Sequence, residues 1–361
     1  MSKDESRPPG ADSQADFTWC HDAVQDVSRT FALTVDVLEE PMSTHICLGY
    51  LLCRIADTIE DAGHIPPEDQ AELLRHYSRT IDPDDEATIE SFLEAAEPWI
   101  PPEAERSDDW RVVAEAPTVL ATFEALPIDV REAIVPPVIE LVDGMAMFVD
   151  RHADNEGLRI DDRDELEEYC YYAAGTVGNL ITNLLARSDM SEDRRQTLYE
   201  TAEEFGLLLQ LVNISKDVYD DYTEENNVYL PAEWLDDEGL TQEEIVEPDN
   251  RDAAARVVHR TANHARSFLD DAETYLKAMP LTHGNTVAAW GVPFLLAVGT
   301  LRELKESPED ALTERGVKIS REEVYAVVGA MSRTGRGSIA EFRSVIAREP
   351  FHRALPKMPS N

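Results

Sequence analysis

Apolar residues recur every three or four positions along most of the chain, the signature of helices with one buried face. Phe17, Val24, Val27, Phe31, Val35 and Leu38 predict a first helix that stops before Pro41, with Ser28, Arg29 and Thr30 in its middle. The next helix runs from Thr44 to Gly63. Ile46, Tyr50, Cys53, Arg54 and Asp57 form one stripe, while Leu48, Leu51, Leu52 and Ile55 fill the other sides. A helix apolar nearly all round is a buried one. Further helical periodicity covers Glu68–Ile81, Ala87–Trp99, Trp110–Leu126, Val130–Arg151, Glu165–Leu185, Glu192–Asp221, Arg251–Met279, Ala288–Lys305 and Arg321–Arg348. Acidic, proline-rich loops separate several of them. With about ten helices, no convincing strand alternation and no internal repeat, the pattern predicts one all-α domain over residues 17–350. Residues 1–16 read as a disordered arm and 351–361 as a tail.

Two segments interrupt this apolar pattern with acids. The Thr44–Gly63 helix ends in Asp57-Thr-Ile-Glu60-Asp61, three carboxylates at i, i+3 and i+4 on one face. Within Glu192–Asp221, the residues Gly206, Gln210, Asn213, Asp217, Asp220 and Asp221 also step along one helical face. Two like charges about 4 Å apart repel by roughly 4 kcal/mol at an effective dielectric of about 20, so such ladders need water or a cation between them. In a chain this acidic most triplets of this kind are solvated surface. Two of them, each following an apolar helix that carries Tyr, Arg, Gln or Asn on the acidic face, point instead to a cavity between facing helices. Hard oxygen ligands of this kind suit Mg²⁺ shared with phosphate oxygens.

Tyr169-Cys-Tyr-Tyr-Ala-Ala-Gly-Thr-Val-Gly178 puts two glycines inside a helical pattern. Each costs about 1 kcal/mol relative to alanine, which implies a close approach. Tyr169, Ala173, Thr176 and Leu180 share a face on an unbroken helix; spacing alone leaves Tyr169 open between a core aromatic and a functional one. Asn227-Val-Tyr-Leu-Pro231 reads as an extended tract beside the second ladder.

The charge balance narrows the partners. Seventy-three acids against 32 Lys and Arg give a net charge of −41, and only six of the basic residues are lysines. Such self-repulsion is tolerable under strong screening and suggests a very salty cytoplasm. It argues against nucleic acid as a partner. The four cysteines form no metal or disulfide pattern, which suits a reducing compartment. The longest apolar run, Val287–Leu301, is short of the roughly 18 residues a membrane span needs.

Taken together, Ser28-Arg-Thr-Phe31, Tyr50 and Arg54 before Asp57-x-x-Glu60-Asp61, the Tyr169–Gly178 tract, and Gln210-x-x-Asn213-x-x-x-Asp217-x-x-Asp220-Asp221 resemble the squalene and phytoene synthase family. Gly144-Met-Ala-x-Phe148 and Gly316-Val-Lys-Ile319 resemble its squalene synthases, whereas Val228-Tyr-Leu-Pro231 resembles its phytoene synthases. The resemblance implies an isoprenoid synthase bundle with a central cavity. It further implies head-to-head joining of two farnesyl diphosphates and reduction to squalene by NADPH; phytoene or dehydrosqualene synthesis without reduction is the alternative. On this resemblance Tyr169 and Tyr50 are catalytic, and Asp57, Glu60, Asp61, Asp217, Asp220 and Asp221 hold Mg²⁺. Ser28, Arg29, Phe31, Arg54, Ala173, Val177, Gln210 and Asn213 contact the substrate, and Arg29, Arg54, Lys216 and Lys318 contact NADPH. Lys216, Ser320 and Asn227 each stand where the family usually carries an arginine or a further basic residue. The accompanying expectations are a cytoplasmic monomer with peripheral membrane contact for product release.

Overall fold

The computed structural model describes residues 11–155, 157–281, 286–333 and 336–355, leaving aside the side chains of residues 11–15, 29 and 30. Its helices are α1 (Ala11–Val27), α2 (Arg29–Asp36), α3 (Met42–Glu60), α4 (Pro67–Ile81), α5 (Ile89–Ala96), α6 (Asp108–Ala114), α7 (Ala116–Glu124), α8 (Ile128–Arg151), α9 (Arg163–Cys170), α10 (Thr176–Ala186), α11 (Glu192–Lys216), α12 (Val218–Glu224), α13 (Ala232–Asp236), α14 (Arg251–Ser267), α15 (Leu269–Ala278), α16 (Thr286–Glu306), α17 (Arg321–Met331), α18 (Ile339–Ile346) and α19 (Phe351–Ala354). Among the described residues there is no strand beyond a single parallel bridge between Arg159 and Val228. The fold is all-α, as the periodicity predicts.

Several helices that periodicity draws as continuous are broken by local chemistry. The first is interrupted at Ser28, which is extended (φ −152°, ψ 96°) and accepts the Phe31 N–H on its hydroxyl at 3.2 Å. This N-cap starts α2 on a new axis and sets the direction of Phe31. The stretch Trp110–Leu126 divides at Glu115, Arg251–Met279 at Phe268, and Arg321–Arg348 between α17 and α18. Residues 1–10 of the expected arm lie outside the described residues, while α1 already begins at Ala11, not Phe17. The expected tail also starts as structure: Phe351 opens α19 and is fully buried.

Two helices carry the core. α3 lies against α1, α4, α6, α7 and α8, and α11 against α10, α14, α15 and α16. The glycines of α10 and α11 mark where the latter pair nearly touch: a Cβ on Gly178 would stand 2.2 Å from the Ala202 carbonyl, and one on Gly206 would stand 2.2 Å from that of Ala174. This is the close approach that the glycine spacing implies.

α16 extends the Val287–Leu301 run to 21 residues, long and apolar enough to cross a membrane by length and composition. Yet 83% of its most apolar window is buried, packed against α2, α11, α14, α17 and α18. It reads as a core helix. Pro293, lacking an N–H, leaves the Ala289 carbonyl without its helical donor, and the Thr34 hydroxyl of α2 supplies one at 3.0 Å.

The C-terminal helices hang on one buried ion pair. Arg302 donates to both carboxylate oxygens of Glu323 (2.9 and 2.8 Å) and to the Ile346 carbonyl (2.8 Å), while Glu323 accepts the Phe351 N–H at 3.0 Å. Glu323→Ala should therefore destabilise the fold by about 3–5 kcal/mol in urea denaturation, because it leaves the buried guanidinium only the part-exposed Glu303, 2.7 Å away, as a carboxylate partner and takes the acceptor from the Phe351 N–H. The double change Arg302→Met with Glu323→Leu should recover most of that loss. A double variant as unstable as the single one would show that packing, not the stranded charge, sets the cost.

Candidate active site

α3 ends in its three acids at the pole where the helix dipole is negative, so dipole and mutual repulsion both oppose them. Gln70 donates to the carbonyls of Ile59 (2.7 Å) and Glu60 (2.5 Å), satisfying the helix end that exposes the acids. Arg54 lies 3.8 Å from Asp57 but gives its stronger contact, 2.8 Å, to Asp109 of α6. Glu60 is only 7% exposed. Its Oε2 accepts the Tyr169 hydroxyl at 3.5 Å, and its Oε1 is buried with no hydrogen-bond partner.

The second ladder straddles a helix break. α11 stops at Lys216, Asp217 is the joint (φ −104°, ψ 12°), and α12 starts at Val218. Asp217, Asp221 and Glu225 then come at four-residue intervals and line the same cavity. Asp220, expected among the metal ligands, is exposed and is not among the residues that line it. Lys216 pairs with Asp217.

Between the ladders runs the Tyr169 segment, which is not a continuous α-helix. Residues Tyr171–Gly175 form a π turn in which the Thr176 N–H reaches back to the Tyr171 carbonyl, shifting every later side chain around the axis. Ala173, Ala174, Val177, Gly178, Leu180 and Ile181 consequently face the interior space, whereas Thr176, expected on the Tyr169 face, is buried with its hydroxyl on the Tyr172 carbonyl at 2.7 Å. Tyr172 packs where a Cβ on Gly144 would fall 2.2 Å from its ring. Phe148 meets the Tyr169 ring edge-on at 5.3 Å.

The extended tract after α12 completes the enclosure. Arg159 donates to the Asn226 carbonyl and side chain, and Asn227 accepts the Leu158 N–H at 2.8 Å. The Asn227 amide also donates to the Tyr229 hydroxyl at 3.2 Å. The Tyr229 ring lies tilted at 30° against that of Tyr169 (centroids 4.8 Å apart), and their hydroxyls are 3.2 Å apart. Asn227 and Ser320 therefore have structural duties: Ser320 caps α17 by accepting the Glu323 N–H at 3.2 Å.

The result is a polar cavity of about 360 Å³, lined by Arg54, Asp57, Glu60, Asp61, Tyr169, Ala173, Gln210, Asn213, Lys216, Asp217, Asp221, Glu225 and Tyr229. Asp57, Ala173, Gln210, Asn213 and Lys216 also line a second, mainly apolar chamber of about 580 Å³. Ser28, Phe31, Tyr50, Val177, Leu209 and Trp290 are among its walls. Phe31 and Tyr50 stack at 4.1 Å. Lys318 is exposed, but Ile319 beside it and Val324 reach the chamber, so the lysine stands near its rim. The side chain of Arg29 lies outside the described residues.

Burial pushes Asp57 up to about 6 against the opposing pull of Arg54, and burial reinforced by neighbouring acids pushes Glu60 up to about 8 and Asp221 up to about 9. Asp61 and Glu225 rise for the same reasons. Burial raises the Tyr50 phenol to about 12, opposed by Arg54. These acids carry a need for positive charge that Arg54 and Lys216 do not meet, and the orphaned Glu60 Oε1 expresses it structurally. Among the described residues no three His, Cys, Asp or Glu side chains form a ready metal cage. An all-oxygen set spread around a cavity fits Mg²⁺, which keeps waters and takes substrate oxygens.

A family model described as squalene/phytoene synthase matches residues 24–323. The chain belongs to the squalene/phytoene synthase family. It is 24% identical to the squalene synthase of Schizosaccharomyces pombe over 341 residues, 94% of this chain and 70% of that protein. To the Homo sapiens squalene synthase it is 25% identical over 342 residues, 95% and 75% of the two chains. It is 31% identical over 262 residues to a bifunctional lycopene cyclase/phytoene synthase of Colletotrichum graminicola, covering 70% of this chain and 41% of that one. The fold matches TcSQS solved with the ligand E5700 at a TM-score of 0.77 and 21% identity, covering 96% and 93% of the chains. A dehydrosqualene synthase complex matches at 0.62 and 20%, covering 90% and 98%. The chain is a prenyl transferase of this family.

Asp109, Glu225 and Tyr229 are site residues that the sequence pattern does not single out. Glu225 has a signal, standing four residues after Asp221. Tyr229 lies within the extended tract, and Asp109 has no local signal at all.

A carboxyl whose folded pKa lies above its unfolded value costs stability as pH rises from the unfolded pKa, about 4, to the folded one. Metal-free protein should accordingly lose stability between about pH 4 and 8 on account of Glu60. Glu60→Gln, followed by urea denaturation in EDTA at constant salt, should flatten that slope and gain about 1–3 kcal/mol at pH 8. An unchanged slope would mean that Glu60 is already neutralised by its surroundings.

Proposed function

We propose that the protein joins two farnesyl diphosphates head to head into presqualene diphosphate and reduces this to squalene with NADPH. The observation that carries the reading is the continuity of an acid-lined polar cavity holding Tyr169 with an apolar chamber, since the substrate is itself a diphosphate on a hydrocarbon tail. Squalene synthase relatives covering most of the chain support it. In the first half-reaction one C–O bond breaks, two C–C bonds close a cyclopropane, and one diphosphate and one proton leave. The second loses the other diphosphate and gains a hydride.

Asp57, Glu60, Asp61, Asp217, Asp221 and Asn213 would hold Mg²⁺, with Glu225 beside them. The metal supplies neutralising charge for the departing diphosphate. Lys216 and Gln210 lie where the two spaces meet, Arg54 lines the polar cavity, and the three orient the diphosphate. Phe31, Tyr50 and Trp290 present ring faces to the cationic carbon chain, worth about 0.5–2 kcal/mol each, and with Val177 and Leu209 exclude water. Tyr169, its phenol held protonated by burial and by Glu60, takes the proton lost on ring closure while passing its own to the Glu60 carboxylate. For NADPH, whose nicotinamide supplies the hydride, Lys318 fits a phosphate: it is exposed and makes no ion pair among the described residues. Leu33, exposed on the chamber wall, suits peripheral membrane contact during release of a hydrocarbon by a cytoplasmic monomer.

Phytoene or dehydrosqualene synthesis is the second reading. It draws on the commitment of Asn227 and Ser320 to structural hydrogen bonds, which leaves few cations for a dinucleotide, and on the relatives of those activities.

With farnesyl diphosphate, Mg²⁺ and high salt, squalene should appear only when NADPH is present, and Lys318→Ala should raise the KM for NADPH several-fold without slowing presqualene diphosphate formation. Chromatography decides: the same C30 hydrocarbon with and without NADPH, or C40 phytoene preferred from geranylgeranyl diphosphate, rejects squalene as the product. Tyr169→Phe should lower kcat by a hundredfold or more. Tyr171→Phe and Tyr172→Phe should change it little, because Tyr171 is tied outward to Glu140 at 2.7 Å and Tyr172 packs on Gly144. Equal losses in all three would reduce Tyr169 to a packing residue.

A further inference from the structure

We propose that Asp109 is a positioning residue that holds the Arg54 guanidinium off Asp57, so that the carboxylate stays open to metal and the guanidinium stays open to diphosphate. The inference rests on the metal site of the proposed function. Arg54 and Asp57 stand at i and i+3 of α3, a spacing at which opposite charges on one helix pair readily. Here they do not close. Arg54 Nη1 is 3.8 Å from Asp57 Oδ2, beyond hydrogen-bond reach, whereas its Nε is 2.8 Å from Asp109 Oδ1. The two carboxylates are comparably exposed, at 30% and 32%, so solvent screening does not choose between them and the distance does. Arg54 leans to the acid that lies on another helix and outside the lining of the polar cavity.

Asp109 is anchored independently of that cavity. Ser107 caps α6 by accepting the Trp110 N–H at 3.2 Å, and Val112 and Val113 are fully buried in a helix that packs on α3. The Trp110 ring lies against His64 with centroids 5.4 Å apart, and Arg111 ties α6 to Asp26 of α1. The carboxylate is therefore a fixed post. It takes Nε, and both Nη nitrogens of Arg54 make no hydrogen bond among the described residues.

The second ladder shows what a cation does without such a post. Lys216 has no other acid within ion-pair distance among the described residues, and it closes on Asp217. Cut loose from Asp109, Arg54 would do the same with Asp57, and the cavity would lose an open carboxylate and an open guanidinium together.

The test reads Mn²⁺ binding from the loss of the free-ion EPR signal at constant high salt, beside kinetics with farnesyl diphosphate at saturating Mg²⁺. Asp109→Ala should raise the Mn²⁺ Kd about tenfold, the scale of one hydrogen bond to a charged group, and raise the KM for farnesyl diphosphate as well. Asp109→Asn, which keeps a neutral acceptor for Nε, should fall between, and it answers the question if circular dichroism shows the alanine variant unfolded. Asp108→Ala removes the same charge one residue away, but Asp108 pairs with Arg111 at 3.5 Å and should change neither quantity. In an Arg54→Met background Asp109→Ala should have no effect left, because no guanidinium remains to move. An effect that persists in that background, or that Asp108→Ala matches, would show Asp109 acting through its charge alone and overturns the proposal; so does an unchanged Kd. Wild type that binds Mn²⁺ yet couples no farnesyl diphosphate would remove the reaction and leave the role of Asp109 standing. Wild type that binds no Mn²⁺, alone or with inorganic diphosphate, would remove both.

Discussion

Carboxylates that face one another inside a protein are stable only with a cation between them or protons on them, and the rest of this molecule is arranged around that constraint. Asp57, Glu60 and Asp61 stand at the negative end of α3, and Asp217, Asp221 and Glu225 face the same space. Burial and repulsion raise their affinity for protons, and the same forces raise their affinity for a metal carrying a diphosphate. The charge deficit is thus stored in the folded protein before any ligand arrives. Arg54 and Lys216 relieve it only locally, since each is already engaged by an acid.

Helix content and the two ladders were legible in the sequence because both obey simple spacing. A buried helix repeats apolar residues at three and four, and acids at i, i+3 and i+4 share its face. The same rule puts Thr176 on the Tyr169 face only by presuming an unbroken helix, and it does not foresee that Asp220 is exposed outside the cavity lining. The π turn at Tyr171–Gly175 rotates the residues after it about the axis, and it has no marker as clear as a proline. Ser28 is the reverse case: its residue type is a strong cap, yet its position inside an apolar repeat disguised it. Asp109 was illegible for another reason. Its partner Arg54 lies 55 positions away in sequence, and no local pattern encodes that meeting.

The acid excess of the chain and the acids of the cavity are physically distinct. Exposed carboxylates are screened within about 10 Å at ordinary ionic strength and far more closely in concentrated salt. Those of the cavity are enclosed, so salt relieves them little. Neutral ties suit such surroundings: Asn227 fastens the Tyr229 tract to Leu158 with hydrogen bonds that no ionic strength screens away.

The contacts of Gly178 with Ala202 and of Gly206 with Ala174 bring main chain against main chain. The separation between the segment that carries Tyr169 and the helix that leads to Asp217 is consequently set by peptide geometry, not by the size of any side chain. Drift in the surrounding apolar residues can proceed over evolutionary time without moving the reacting groups apart. A single methyl group at either glycine would do so at once.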